Sequence, residues 1–153
     1  MTNPRENPKE IALPKVVRLT AVTLLVYSLA IFIFGIFLPL WAYNTARGFD
    51  FIGVPLYILI GLFIILVSFG LFEGSYQLLL RRAYGSGVGT AATICSLLPG
   101  VWAVLFLSSI NCEKTLRVGT CEVKQFSAVI LYSLFIIILM WGLTGSGKIL
   151  NKE

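Results

Sequence analysis

The sequence predicts an all-α membrane protein, a four-transmembrane-helix bundle with both termini cytoplasmic. Three observations predict it: four apolar stretches, span interiors free of charge, and an uneven distribution of basic residues around them. The stretches run at about 17–43, 51–72, 88–110 and 126–144, and each meets the roughly 20 residues a bilayer-crossing helix needs. The chain is 58% hydrophobic and 12% charged, against about 25% charged in ordinary soluble domains. With a mean hydropathy of +0.90, a water-soluble fold could not cover so much apolar surface. Residues 1–153 therefore read as one integral membrane domain, with no room for a soluble catalytic domain.

Residues 1–16 are polar and contain Pro4, Pro8 and Pro14, which predicts a short mobile arm. The first span has too long an apolar core for a cleavable signal peptide, and no small-x-small cleavage pattern follows it. It reads as a retained signal-anchor. Ala21, Ser28, Gly35 and Ala42 recur at every seventh position along it. Lipid gives helices no hydrophobic reason to associate, so such small residues mark where helices meet. Pro39 lies near its end, and Trp41 and Tyr43 fall where interfacial aromatics belong. Asp50, the sole acid of the first loop, reads as a cap for the second helix.

In the second span Pro55 occupies the first turns, where proline is tolerated. Gly61, Ser68 and Ser75 repeat the seven-residue spacing, with Gly70 and Gly74 as an offset pair. Glu73, Gln77 and Arg81 follow at four-residue spacing and share a face if the helix continues. Two readings stay open for them: an ion-coupling group, or a carboxylate solvated or paired at a span end. The second is preferred, because transport carboxylates typically sit near the midplane. Gly85-Ser86-Gly87-Val88-Gly89 reads as a loop into the third span, since it has no preceding strand to make a nucleotide cradle.

The third span carries Ala92, Ser96 and Gly100 at four-residue spacing, and Cys95 as a small packing residue. Pro99 withholds a hydrogen bond from the Cys95 carbonyl and predicts a kink. The kink is either a hinge or a packing device, and neighbours that satisfy the freed groups favour packing. Cys112 and Cys121 bracket the third loop and predict a disulfide, worth about 2.5–3 kcal/mol for so short a loop. Two free thiols, or a two-cysteine metal site with Glu113 and Glu122, are the alternatives.

The fourth span is bulky from Ile130 to Met140, which suggests a helix on the outside of the bundle, facing lipid or another protein. Gly142 to Gly147-Lys148 matches part of a phosphate-binding loop, but Ile149 stands where that motif requires Ser or Thr. Residues 145–153 read instead as a flexible exit with a basic anchor.

Eight basic residues lie in the arm, second loop and tail, against four in the first and third loops. The positive-inside rule then places both termini in the cytoplasm and loops 43–51 and 111–125 outside, in a plasma or other cell membrane. An outside third loop suits a disulfide. The net charge of +5 serves this topology, and no basic run with interleaved aromatics points to nucleic acid. There is no His, and all seven acids lie in tails, loops or at a span end, so no enzyme, cofactor or metal site is expected. The layout is similar to that of several eukaryotic four-span groups, such as the MARVEL proteins, in architecture alone.

Three functions fit. The first is a structural or accessory subunit of a larger membrane complex, with the bilayer and other subunits as partners. The second is a small homo-oligomeric transporter or channel using Glu73 and the Pro99 kink. The third is a surface protein that binds a partner through its Cys-closed loop.

Overall fold

The structure is a computed structural model that describes residues 13–45, 53–113 and 118–152, with the side chains of 45, 53, 110–113 and 118–122 outside the description. Among the described residues it is all-helical, with five helices and no strand. They are α1 (Lys15–Thr45), α2 (Gly53–Leu79), α3 (Tyr84–Cys95), α4 (Leu97–Glu113) and α5 (Val118–Leu150). Three of them, α1, α2 and α5, are long and apolar enough to cross a membrane. The count becomes four if α3 and α4, bent by 48° at their junction, are one broken span.

The α1–α2 seam organises the bundle. Ala21, Ser28 and Gly35 on α1 are buried, as are Gly61, Ser68 and Ser75 on α2. The two stripes meet rung by rung. Ser75 Oγ donates to the Ala21 carbonyl at 2.7 Å and Ser28 Oγ donates to the Ser68 carbonyl at 2.9 Å. Gly35 then faces Gly61 so closely that a Cβ built on Gly61 would lie 2.8 Å from the Gly35 carbonyl oxygen. Each step of seven along α1 is answered by a step of seven back along α2, as an antiparallel pair with one shared period requires.

The second seam joins α2 to α3. A Cβ on Gly74 would sit 2.7 Å from the Gly89 backbone, and a Cβ on Gly70 would sit 3.2 Å from the Ala92 Cβ. Toward the turn, a Cβ on Gly85 would meet the backbone of Gln77 and Leu78. Gly85 and Gly89 are thus helical contact points and not part of a loop. Glycine there lets two helix backbones touch.

The small residues of the third stripe do not share one seam. Ala92 faces α2, Ser96 bonds to α1, and Gly100 faces α5. The bend between Cys95 and Leu97 divides them. It turns α3 toward α2 and α5, while α4 packs chiefly on α5. The single kinked span expected at 88–110 is therefore two helices broken at Ser96.

Other boundaries also differ from expectation. Helices α3 and α5 begin at Tyr84 and Val118, before the expected 88 and 126, and residues 111–113 and 118–125 of the expected loop 111–125 are helical. Helix α2 continues past residue 72 to Leu79, because Gly74, Ser75 and Leu78 are buried contacts and not loop residues. Helix α5 runs to Leu150, so residues 145–150 are helical where a flexible exit was expected. The reason is contact. Gly142 lies against Thr20, Gly147 lies against Ser86, and Ser146 is fully buried. Nor is α5 an outside helix along its whole length. Ile136, Leu139 and Leu143 join the shared core, while Leu131, Ile137, Ile138 and Trp141 stay on its exposed face.

The ends of the bundle differ in filling. Near residues 74–89 and 142–147 the spacers are glycine and serine. At the other end aromatic rings do the work. Trp41 meets Phe106 edge-on at 4.7 Å, Tyr57 stacks on Trp102 at 6.1 Å, and Phe34 touches both Trp102 and Phe106. Edge-to-face pairs of this kind add about 0.5–1.5 kcal/mol each beyond the area they bury.

The two seams set a testable contrast. Gly61→Ala must push Pro39 or the Gly35 carbonyl aside and is expected to cost about 1–3 kcal/mol. Gly87→Ala, with nothing within 4 Å, is expected to be neutral or slightly stabilising. Reversible unfolding in mixed micelles measures both, and equal effects would remove the seam from its place in the fold.

Candidate functional site

The polar centre of the molecule lies at the α3–α4 break. Tyr27, Ser96 and Tyr132 each fall near the midpoint of α1, of the α3–α4 pair and of α5. Their hydroxyls meet there. Tyr27 Oη lies 2.9 Å from Ser96 Oγ and 2.7 Å from Tyr132 Oη. Ser96 Oγ donates to the Thr93 carbonyl at 2.7 Å, and Tyr132 Oη also reaches the Ser96 carbonyl at 3.2 Å.

Three hydroxyl protons serve these four contacts. The assignment that uses each proton once runs from Tyr132 to Tyr27, from Tyr27 to Ser96 Oγ, and from Ser96 to the Thr93 carbonyl. The longer Tyr132 contact to the Ser96 carbonyl is then secondary. The result is a one-way chain from α5 through α1 into α3, and aligned chains of this kind strengthen each member.

The break explains why the chain is there. Pro99 has no N–H to donate, and the ladder resumes at Gly100, whose N–H donates to the Ser96 carbonyl at 2.8 Å. The phenol of Tyr132 takes the space a side chain on Gly100 would fill, since an added Cβ would overlap its hydroxyl. Glycine at this position therefore seats the tyrosine. Edge-to-face contact between Tyr27 and Phe135 at 5.4 Å fixes the neighbouring ring.

In chemical terms the cluster offers hydroxyl donors and backbone acceptors. Its hydrogen-bond partners among the described residues are hydroxyls and backbone carbonyls. It can hold three helices at one depth.

Sequence reasoning singled out Ser96, Gly100 and Pro99 but missed Tyr27 and Tyr132. A signal was present: tyrosine belongs at membrane interfaces, and these two stand mid-span.

The polar group predicted at the end of α2 is arranged differently from its spacing. Gln77 Nε2 donates to Glu73 Oε1, one turn away on an exposed stretch. Arg81 does not continue that face, because the helix ends at Leu79. It takes a left-handed φ of 60°. Arg81 N–H bonds to the Leu78 carbonyl and Arg82 N–H to the Gln77 carbonyl, at 3.1 and 2.9 Å. That pair of bonds is a Schellman cap, with arginine where glycine is usual. Glu73 and Arg81 form no ion pair among the described residues.

Cys95 is a free, exposed thiol on α3. Cys112 near the end of α4 and Cys121 in the first turn of α5 have side chains outside the described residues, as do Glu113 and Glu122. No protein-family model, curated protein or solved structure matches this chain.

Tyr132→Phe keeps the ring and removes its bonds to Tyr27 and Ser96. It is expected to cost about 0.6–1.7 kcal/mol, the range of hydrogen bonds between membrane helices. Gly100→Ala is expected to cost more, and adding Tyr132→Leu should recover part of that loss. Additive single and double variants in micelle unfolding would mean that the two positions do not touch.

Proposed function

We propose that this chain is a four-span integral membrane protein in which α3 and α4 form one bent span, and that it serves as a non-catalytic structural or accessory subunit of a larger membrane assembly. The observation that carries the reading is where the polar groups go. Ser28, Ser75, Ser96, Tyr27 and Tyr132 are engaged in holding helices to one another, and no ionisable side chain but tyrosine is buried with them among the described residues. Membrane interiors that move ions or protons carry charged or titratable groups facing a path. This interior is built for cohesion.

The outside supports a membrane setting. Leu19, Leu98, Leu131, Ile138 and Trp141 are each at least 66% exposed. Water would not tolerate so continuous an apolar surface. The exposed face of α5, with Phe126, Leu131, Leu134 and Ile137, is a candidate for contact with another subunit.

The ends support an orientation. Lys15, Arg18, Arg81, Arg82, Lys148 and Lys152 gather at the end formed by the start of α1, the α2–α3 turn and the close of α5. Glu73 is the acid near them, and Lys124 is the described charge toward the other end. Basic residues collect on the cytoplasmic side, so both termini belong there. On this orientation the end of α4 and the start of α5 face outward, which suits a Cys112–Cys121 bridge.

Purification in mild detergent tests the role: a stable complex with unrelated membrane subunits is expected, and a lone homo-oligomer overturns it. In proteoliposomes, Glu73→Gln is expected to leave proton and cation flux at background, as in the unaltered protein. For topology, impermeant thiol reagents on intact cells should label Cys112 and Cys121 only after reduction. Labelling without reductant sinks the bridge, and no labelling after reduction sinks the orientation.

A further inference from the structure

We propose that the groove between α1 and α5 at the basic end binds one anionic glycerophospholipid as a specific ligand. The groove encloses about 450 Å³ and is lined by Leu19 and Thr20 on one wall and Ile138, Trp141, Gly142 and Gly145 on the other. That volume lies within the range of small-molecule sites. Of the two glycines on that wall, Gly142 packs against Thr20 and Gly145 leaves the hollow. Nothing lies within 4 Å of a Cβ built on Gly145, so the space above it is open.

The occupant is argued from charge and from one hydroxyl. Lys15 stands one turn before Leu19, and Lys148 stands one turn beyond Gly145. Both are exposed, and they extend the two walls past the apolar part of the groove. Arg18 and Lys152 lie near them in sequence on the same end. Helix α1 has 31 residues, about 46 Å at 1.5 Å per residue, close to the full thickness of a bilayer with its headgroups. Lys15 and Lys148 are therefore at headgroup depth, where a phosphate would lie between them.

Thr20 is the second observation. It is only 7% exposed, it lines the groove, and its hydroxyl has no hydrogen-bond partner among the described residues. Thr23, one turn on, bonds to the Leu19 carbonyl, so the local backbone does not prevent such a bond. Thr20 lies five residues past Lys15, about 7.5 Å deeper along the helix. An ester carbonyl sits below its phosphate in the same order. The acyl chain then continues along Leu19 and Ile138 toward the centre of the bundle.

This inference rests on the bundle spanning a bilayer, which alkaline carbonate extraction of the unaltered protein tests separately: release from the membrane would defeat that reading before lipid is considered. The site itself is tested with full-length protein in neutral maltoside detergent, supplied with phosphatidylglycerol or phosphatidylcholine and read by native mass spectrometry. One phosphatidylglycerol per chain is expected, retained about tenfold more strongly than phosphatidylcholine, as two lysines near a phosphate would give. Lys15→Gln with Lys148→Gln should abolish the preference, and Thr20→Val should weaken retention of both lipids. Gly145→Leu plugs open space with a better helix former, so it should keep its helical content and lose the lipid. Equal retention by Gly145→Leu and the unaltered chain would overturn the proposal. So would the absence of any headgroup preference, or a dimer that Gly145→Leu separates while lipid binding persists.

Discussion

In hydrocarbon, two helices gain nothing by hiding leucine from solvent, because the solvent is as apolar as the side chain. What remains is contact and hydrogen bonding, and both require backbones to come close. The seam between α1 and α2 meets that requirement with residues that have little or no side chain. Gly35 and Gly61 bring the helices together, and Ser28 and Ser75 convert the short distance into hydrogen bonds on the opposite backbone. The other seams follow from it. With α1 and α2 fixed, Gly74 and Gly89 set α3 on α2, and the hydroxyl of Tyr27 is held where α3 and α5 reach it.

The bend at Ser96 divides the labour between the two halves. Below it, at the basic end, glycine and serine keep four helices in close contact. Above it, α4 leans on α5, and the gap toward α1 and α2 is filled by Phe34, Trp41, Tyr57, Trp102 and Phe106. One proline achieves this change of packing style without a charged group. Hydroxyls gather at the break, where Ser96 bonds to the Thr93 carbonyl and Tyr132 to the Ser96 carbonyl, as neighbours do at helix breaks in membranes.

The parts of this arrangement that were legible in the sequence are those with a period. Ala21, Ser28 and Gly35 and their counterparts Gly61, Ser68 and Ser75 announce an interface because spacing alone puts them on one stripe. Pro99 announces a break for a reason local to its own ring. The hydroxyl chain was not legible, because Tyr27 and Tyr132 are 105 positions apart and only the three-dimensional register joins them. The segment from Gly142 to Gly147 misled for a related reason. Taken alone, its composition is that of a loop, and it is helical because Thr20 and Ser86 receive it. Arg81 misled in the other sense. Four-residue spacing implies a shared face only while the helix lasts, and it ends two residues earlier.

The seating of Tyr132 over Gly100 also says something about biogenesis. A chain delivered to the bilayer from its N-terminus presents Tyr27, then the Ser96 break, and last of all Tyr132. Until the final helix arrives, the hollow at Gly100 stands open to lipid and the hydroxyl of Tyr27 lacks its nearer partner. The closing segment is thus also the keystone. A chain halted before α5 lacks the ring that fills this notch and the hydroxyl that completes the chain at its midpoint.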